Sequence, residues 1–177
     1  MRLVILLLSA VCLSSPVLAA DAPPAGAAEK AFFDHLVGTW DVEYEIYAKD
    51  GKVRRLPGRA TYAWILDGAT LQEVWSDVDG REVKPYATTI SYEDGKHGRW
   101  TEVYIYPRSG TPTIVTGGAV GDAIVLEGKD PEGALQRWWL GDLKPDSFIA
   151  RYEISEDEGK TWRLLGINHM RRSGTTK

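Results

Sequence analysis

From about residue 39 onward the chain alternates. Trp40, Val42, Tyr44 and Ile46 fall on one side of an extended segment, and Asp41, Glu43 and Glu45 fall on the other. Phe148, Ala150, Tyr152 and Ile154 oppose Arg151, Glu153 and Ser155 in the same way. A period of two with one polar face belongs to a half-buried β-strand. Short runs rich in Val, Ile, Thr, Tyr and Trp recur with turn residues between them. The pattern predicts ten strands, at about 39–48, 58–66, 69–77, 86–93, 99–106, 112–118, 122–128, 134–141, 147–155 and 161–171.

The turns support this reading. Asp-Gly stands at 50–51, 67–68, 79–80 and 94–95, followed by Gly121-Asp122, Pro131-Glu132-Gly133 and Asp157-Glu158-Gly159. Glycine accepts positive φ without steric cost, and aspartate tolerates it, so Asp-Gly between alternating segments signals a hairpin. One short helix is predicted before the strands, in "EKAFFDHLVG" (29–38), where Gly38 stops it. No longer helical pattern interrupts the strands, so the expected fold is all-β. It is an antiparallel up-and-down barrel of about ten strands, because closure removes the exposed edges of a meander.

The N-terminus has a different texture. "MRLVILLLSAVCLSSPVLAA" carries Arg2, an apolar stretch from Leu3 to about Leu13, Pro16, and the small-residue ending Val17-Leu18-Ala19. This is the layout of a secretory signal peptide, and the apolar stretch is shorter than the roughly 20 residues a spanning helix needs. Cleavage near Ala19 or Ala20 is expected, giving a periplasmic or secreted protein. The segment "DAPPAGAAEK" (21–30) reads as a flexible leader, and 31–173 as a single domain. The only cysteine, Cys12, lies in the signal segment behind Val11, which does not suit lipidation. The mature chain then offers no disulfide and no thiolate chemistry.

Composition narrows the function classes. Without Arg2, 20 basic residues face 25 acidic ones. The basic residues are scattered, whereas nucleic-acid binding wants a clustered basic face. No membrane span is expected among the short alternating runs. The three histidines, His35, His97 and His169, have no zinc-like spacing. Asp77-x-Asp79-Gly80 has the start of a calcium loop without its distal glutamate and reads as a turn. Gly117 and Gly118 in "GTPTIVTGGAV" open no helix, so they make no phosphate cradle. They read as a bulge or bend of the barrel wall.

The octet "SEDEGKTW" (155–162) resembles the Asp-box of sialidases, but it occurs once and the chain is too short for their propeller. Each of its residues has a structural task in a hairpin between the ninth and tenth strands.

Three strands alternate a charge with an aromatic ring: Glu73 with Trp75, Trp100 with Glu102 and Tyr104, and Arg137 with Trp139. If the rings point inward, so do the charges two residues away. Apolar walls with a few fixed polar groups form a small-molecule site. Arg137 is then the natural partner of Glu73 or Glu102, since an unpaired buried charge is costly. Trp64 and Tyr152, from the second and ninth strands, complete the candidate ligand-binding set. The opposite parity remains open, with Val74, Val103 and Ile105 inward and Trp138 on the other face from Trp139. No catalytic set, metal site or cofactor is predicted. The expected partner is a small, partly apolar ligand. A filled-core structural barrel and a carboxylate-dependent enzyme are the alternatives.

A family resemblance joins these readings. "FFDHLVGTWDVEY" resembles the opening of calycin-type barrels, a short helix followed by Gly-x-Trp. "GRATYAWILDGATLQEVW", "ISYEDGKHGRW", "IVLEGKD" and "RYEISEDEGKTWRL" look closer to a bacterial domain-of-unknown-function family (1579 type) of secreted, lipocalin-like proteins. The resemblance runs from about 32 to 172. It implies a calycin-like barrel and no activity. It also implies that Trp40 packs against an arginine near the end of the barrel, Arg171 or Arg172. In some calycin-like barrels a late-strand histidine binds haem, but the extended Gly-rich motif of those proteins does not follow Trp40 here. His169 therefore reads as a strand histidine.

Overall fold

The computed structural model describes residues 26–174. The expected signal segment with Cys12, its expected cleavage point and residues 21–25 lie outside the described residues. One helix, α1 (Ala27–Leu36), precedes ten strands: β1 (Gly38–Tyr47), β2 (Val53–Ile65), β3 (Thr70–Asp79), β4 (Glu82–Asp94), β5 (Arg99–Ile105), β6 (Thr113–Val120), β7 (Ala123–Lys129), β8 (Leu135–Lys144), β9 (Ser147–Ser155) and β10 (Arg163–Arg172). Each strand pairs with the next, and β1 pairs with β10 to close the barrel. The helix begins at Ala27, so the end of the expected leader is its first turn. β2 and β4 start about five residues earlier than the pattern predicts. Their first residues, including Pro57 and Pro85, are mostly exposed and carry no apolar alternation.

Closure is held by a named contact. Trp40 stands opposite Arg172 across the β1–β10 seam. The indole is fully buried. The Arg172 guanidinium lies 4.2 Å from the ring centroid and donates to the carbonyls of Val37 (3.0 Å) and His35 (2.9 Å). One arginine thus binds the first strand, the last strand and the end of α1 together.

The helix closes one end of the barrel. Phe33 packs on Trp100 with ring centroids 4.3 Å apart. Trp40 Nε1–H donates to the Leu36 carbonyl at 2.7 Å, and Trp64 Nε1–H donates to Asp34 Oδ1 at 2.7 Å. Glu29 accepts from the Ala119 amide at 3.1 Å. Leu71, Val115, Leu126, Phe148 and Met170 fill the space beneath. The opposite end is bounded by the hairpins β1–β2, β3–β4, β5–β6, β7–β8 and β9–β10.

Among the described residues, three register shifts interrupt the ladders, one of them between Gly141 and Lys144 of β8, and the other two bring extra residues to the interior. Between Trp75 and Ser76 the register with β4 slips by one residue, leaving Tyr86 as the extra residue. Between Leu164 and Gly166 the register with β9 slips, leaving Leu165. A bulge re-aims a side chain that simple alternation assigns to the other face. At Gly117 no register shift occurs. A side chain there would overlap the Val125 carbonyl of β7, so Gly117 marks a close approach of two backbones, not a bulge. Asp77 and Asp79 lie on β3, with Gly80 and Arg81 making the β3–β4 turn, and no helix among the described residues is long and apolar enough to cross a membrane.

The octet builds the β9–β10 hairpin. Ser155 Oγ accepts from the Gly159 amide at 2.8 Å and donates to Asp157 Oδ1 at 2.8 Å. Asp157 also accepts the Thr161 amide (2.8 Å) and hydroxyl (2.6 Å). The Thr161 hydroxyl and amide, then the Ser155 hydroxyl, hold the Asp157 carboxyl down to about 2. Gly159 has φ 85°.

Candidate functional site

Between the helix-capped floor and the open end lies an interior cavity of about 310 Å³. Alternation places one ring from most of the surrounding strands in its wall: Tyr44 from β1, Tyr62 from β2, Trp75 from β3, Tyr104 from β5, Trp138 from β8 and Tyr152 from β9. The bulges add Tyr86 and Leu165. The rings meet mostly edge to face. Trp138 stands 6.1 Å from Tyr104 and 5.7 Å from Tyr152, at 82° and 75°. This is the arrangement aromatic quadrupoles prefer.

Polar atoms are placed sparingly among the rings. Trp75 Nε1–H donates to Thr89 Oγ1 at 3.1 Å, Asn168 Nδ2–H to Tyr152 Oη at 3.1 Å, and Trp138 Nε1–H to Gln136 Oε1 at 3.2 Å. The Tyr86 hydroxyl donates to Tyr44 Oη at 3.3 Å. Each contact ties a wall residue to a neighbouring one and so fixes the shape of the cavity.

Two carboxyls also line it. Glu73 on β3 and Glu102 on β5 are 7% and 5% exposed. They flank β4, where Glu73 stands opposite Thr89 and Glu102 opposite Ser91. Burial raises the Glu73 carboxyl well above the usual range, and the charge of Glu102 adds to this. Hydrogen bonds with Tyr62, Thr89 and Trp75 act in the other direction. Glu73 Oε1 has no hydrogen-bond partner. Burial likewise pushes Glu102 up to about 7, against the hydrogen bond from Ser91. Among the described residues, no lysine, arginine or histidine lines the cavity. The same burial raises the phenols of Tyr44, Tyr62 and Tyr152, which keeps them neutral.

The structure corrects part of the predicted set. Arg137 and Trp139 lie on the outer face. Arg137 Nε donates to Glu127 at 2.7 Å, its Nη1 is 3.6 Å from Glu153, and its guanidinium stacks on Trp162 at 3.8 Å. Trp139 is covered outside by Arg151 at 4.2 Å. The expected pairing of Arg137 with Glu73 or Glu102 does not exist. The physical reason is parity: Trp138 pairs with inward Tyr152, so the odd residues of β8 point out. Trp64 and Trp100 pack at the capped end, with centroids 6.4 Å apart, and do not line the cavity. Glu73, Trp75, Glu102, Tyr104 and Tyr152 converge on it as the alternation predicts. Ile46, placed with the inward residues of the first strand, is 42% exposed at the open rim.

Tyr44 and Tyr62 were legible, since Tyr44 shares the face of Trp40 and Tyr62 that of Ala60 and Trp64. Tyr86 and Leu165 were not, because nothing local announces a bulge.

His169 faces outward, with Nε2 3.1 Å from Glu45 Oε2. His35 Nε2 lies 3.0 Å from the Lys144 carbonyl, and His97 Nδ1 bonds Asp94 at 2.5 Å. No group of three or more potential ligand residues that could hold a metal ion occurs among the described residues.

A closed ten-stranded meander with a helix across one end and a cavity at the other defines a calycin-type, lipocalin-like barrel. Solved structures bear this out. The chain is similar to the S-type phycobiliprotein lyase CpeS from Guillardia theta, with a TM-score of 0.57 at 14% identity, covering 84% of this chain and 94% of that one. It is similar to Rv2717c from M. tuberculosis, with a TM-score of 0.55 at 16% identity, covering 82% and 97%. At these identities the likeness is one of fold. No protein-family model and no curated protein matches the sequence.

Proposed function

We propose that this protein is an exported barrel that binds one small, partly apolar molecule in its interior. The observation that carries the reading is the cavity itself: about 310 Å³, walled by aromatic rings and furnished with a few fixed polar groups. That is the composition of a small-molecule site, at the lower end of the usual size range. A filled core, the natural alternative for a barrel with seven tryptophans, would leave no such space. The lipocalin-like fold, shared with a lyase among other proteins, is compatible with this reading.

Native mass spectrometry of the protein purified from its own host tests it. The expected result is a retained small-molecule mass that disappears on denaturation. A ligand-free mass that persists after incubation with host extract counts against interior binding. Export rests on the signal-type N-terminus; Edman sequencing of the exported protein should begin at Ala20 or Asp21, and an intact Met1 would overturn it.

One observation favours a second reading. Glu102 is held near neutrality, where a carboxyl can both donate and accept a proton. A carboxylate-dependent enzyme acting on the bound molecule would turn over its ligand, and Glu102→Gln would abolish turnover while retaining binding. A simple binding protein returns its ligand unchanged in both forms.

A further inference from the structure

We infer that the cavity is built for an organic cation, a protonated amine on an aromatic or apolar body, with its ammonium group against Glu73. The inference rests on the interior-binding reading and adds the chemical class of the ligand.

Three independent features point the same way. The first is an unmet hydrogen-bonding group. Glu73 is 93% buried, faces the cavity, and its Oε1 has no partner among the protein atoms. A buried polar atom without a partner is rare in folded proteins and calls for an explanation. A donor supplied by the ligand is one.

The second is the sign of the site. Among the described residues, two carboxyls line the cavity and no basic residue does. An anionic ligand would meet no counter-charge and would be repelled by whichever carboxyl was ionised. A neutral ligand would leave the acidic pair without a role. A cation supplies the positive charge that the expected Arg137 does not.

The third is the wall. Tyr62, Trp75 and Tyr152 stand around the carboxyls, and ring faces attract cations through their quadrupoles. Aromatic faces with a nearby carboxylate are a general means of holding an ammonium group. The size of the cavity restricts the rest of the ligand to a body of one or two rings.

Protonation gives this binding a signature. The titratable groups facing Glu73 are Glu102 on β5, whose charge raises the Glu73 carboxyl further, and the neutral phenols of Tyr44, Tyr62, Tyr86, Tyr104 and Tyr152, which the charge of Glu73 raises in turn. None of them is a cation, so without a bound cation burial favours the protonated form of the Glu73 carboxyl. When an ammonium ion enters, the carboxyl ionises to pair with it and its proton passes to solvent. The charge then balances: a neutral acid and a cation become an ion pair plus one released proton.

The experiment uses the mature protein and three probes of nearly equal shape: tryptamine, indole-3-ethanol and indole-3-propionate. Titration calorimetry at pH 7, in two buffers of different ionisation enthalpy, measures affinity and proton release together. Tryptamine should bind at least about tenfold more tightly than the alcohol, with about one proton released, and the propionate should bind most weakly. Glu73→Gln should lose the preference for the amine and the proton release while still binding the alcohol. If the alcohol binds as well as or better than the amine in wild type, the cation inference falls and interior binding stands. If a folded Glu73→Gln protein keeps the preference for the amine, it also falls. If none of the three probes binds, the cation inference falls, and the retained mass in native spectra decides interior binding separately. The wild-type series and its proton count do not depend on any variant folding.

Discussion

Glu102 shows how one residue ties the cavity to stability. Its carboxyl is raised from the usual 4.5 to about 7 in the folded state, because burial disfavours the charged form. Below about pH 4 both folded and unfolded chains hold this proton, and nothing is lost. As pH rises, the unfolded chain releases the proton first, so stability falls between about 4.5 and 7 and then levels off. A shift of this size corresponds to about 3 kcal/mol. Glu73 shifts in the same direction and adds to the fall. Glu102→Gln keeps the shape and the capacity to bond Ser91 but cannot ionise. We expect its urea midpoint to be higher than wild type at pH 8, with the gap closing by pH 4. Equal midpoints at both pH values would show that Glu102 is not desolvated. Asp157 has the opposite sign. Its hairpin bonds favour the ionised form, so that contribution is present above pH 4 and lost as pH falls through about 2.

At the scale of the strand, two arginines stacked on tryptophans have unequal consequences. Arg172 covers fully buried Trp40 and satisfies two carbonyls at the end of α1, at the seam that closes the barrel. Arg137 covers Trp162 on the outer wall and pairs with half-exposed Glu127. Arg172→Met should cost about 2–4 kcal/mol, because it removes a charged donor from two carbonyls as well as a stacked contact. Arg137→Met should cost no more than about 1 kcal/mol, as surface ion pairs contribute little. Chemical denaturation of the two variants checks the ranking, and a larger loss at Arg137 would contradict the outward orientation of β8. The β9–β10 hairpin has its own sensitive point. A valine at Gly159 finds room, since Leu135 and Trp162 lie 3.6 and 3.8 Å from the new Cβ. It must nevertheless adopt positive φ, and Gly159→Val should lower stability by about 1–3 kcal/mol in thermal or urea melts.

For the molecule as a whole, the cavity separates binding from folding. The capped end holds the packed aromatic and aliphatic core, whereas the cavity lies toward the other end, so filling it leaves that core untouched. Leu140 projects from β8 into the cavity. Leu140→Trp should leave the melting temperature unchanged or raise it, because added apolar surface occupies empty space. It should also remove the retained ligand mass in native spectra. Retention of the ligand by a well-folded Leu140→Trp protein would move the binding site elsewhere.

Local pattern was enough for the class of fold. Ten alternating segments and their Asp-Gly turns define a meander wherever it is drawn, because strand periodicity and turn chemistry act between residues close in sequence. Trp40 and its arginine were reached to within one residue through the resemblance to calycin-type openings, not through the pattern, whereas the carboxyl pair at Glu73 and Glu102 followed from alternation with Trp75, Trp100 and Tyr104. The content of the cavity was settled in three dimensions. In β8 every residue from Gln136 to Leu140 tolerates either face, and only pairing with β9 turns Trp138 in and Arg137 and Trp139 out. Tyr86 and Leu165 reach the cavity through bulges, which depend on register with a neighbouring strand. The absence of a cation beside Glu73 is likewise a property of the closed barrel, since charge balance in a cavity is set by side chains far apart in sequence.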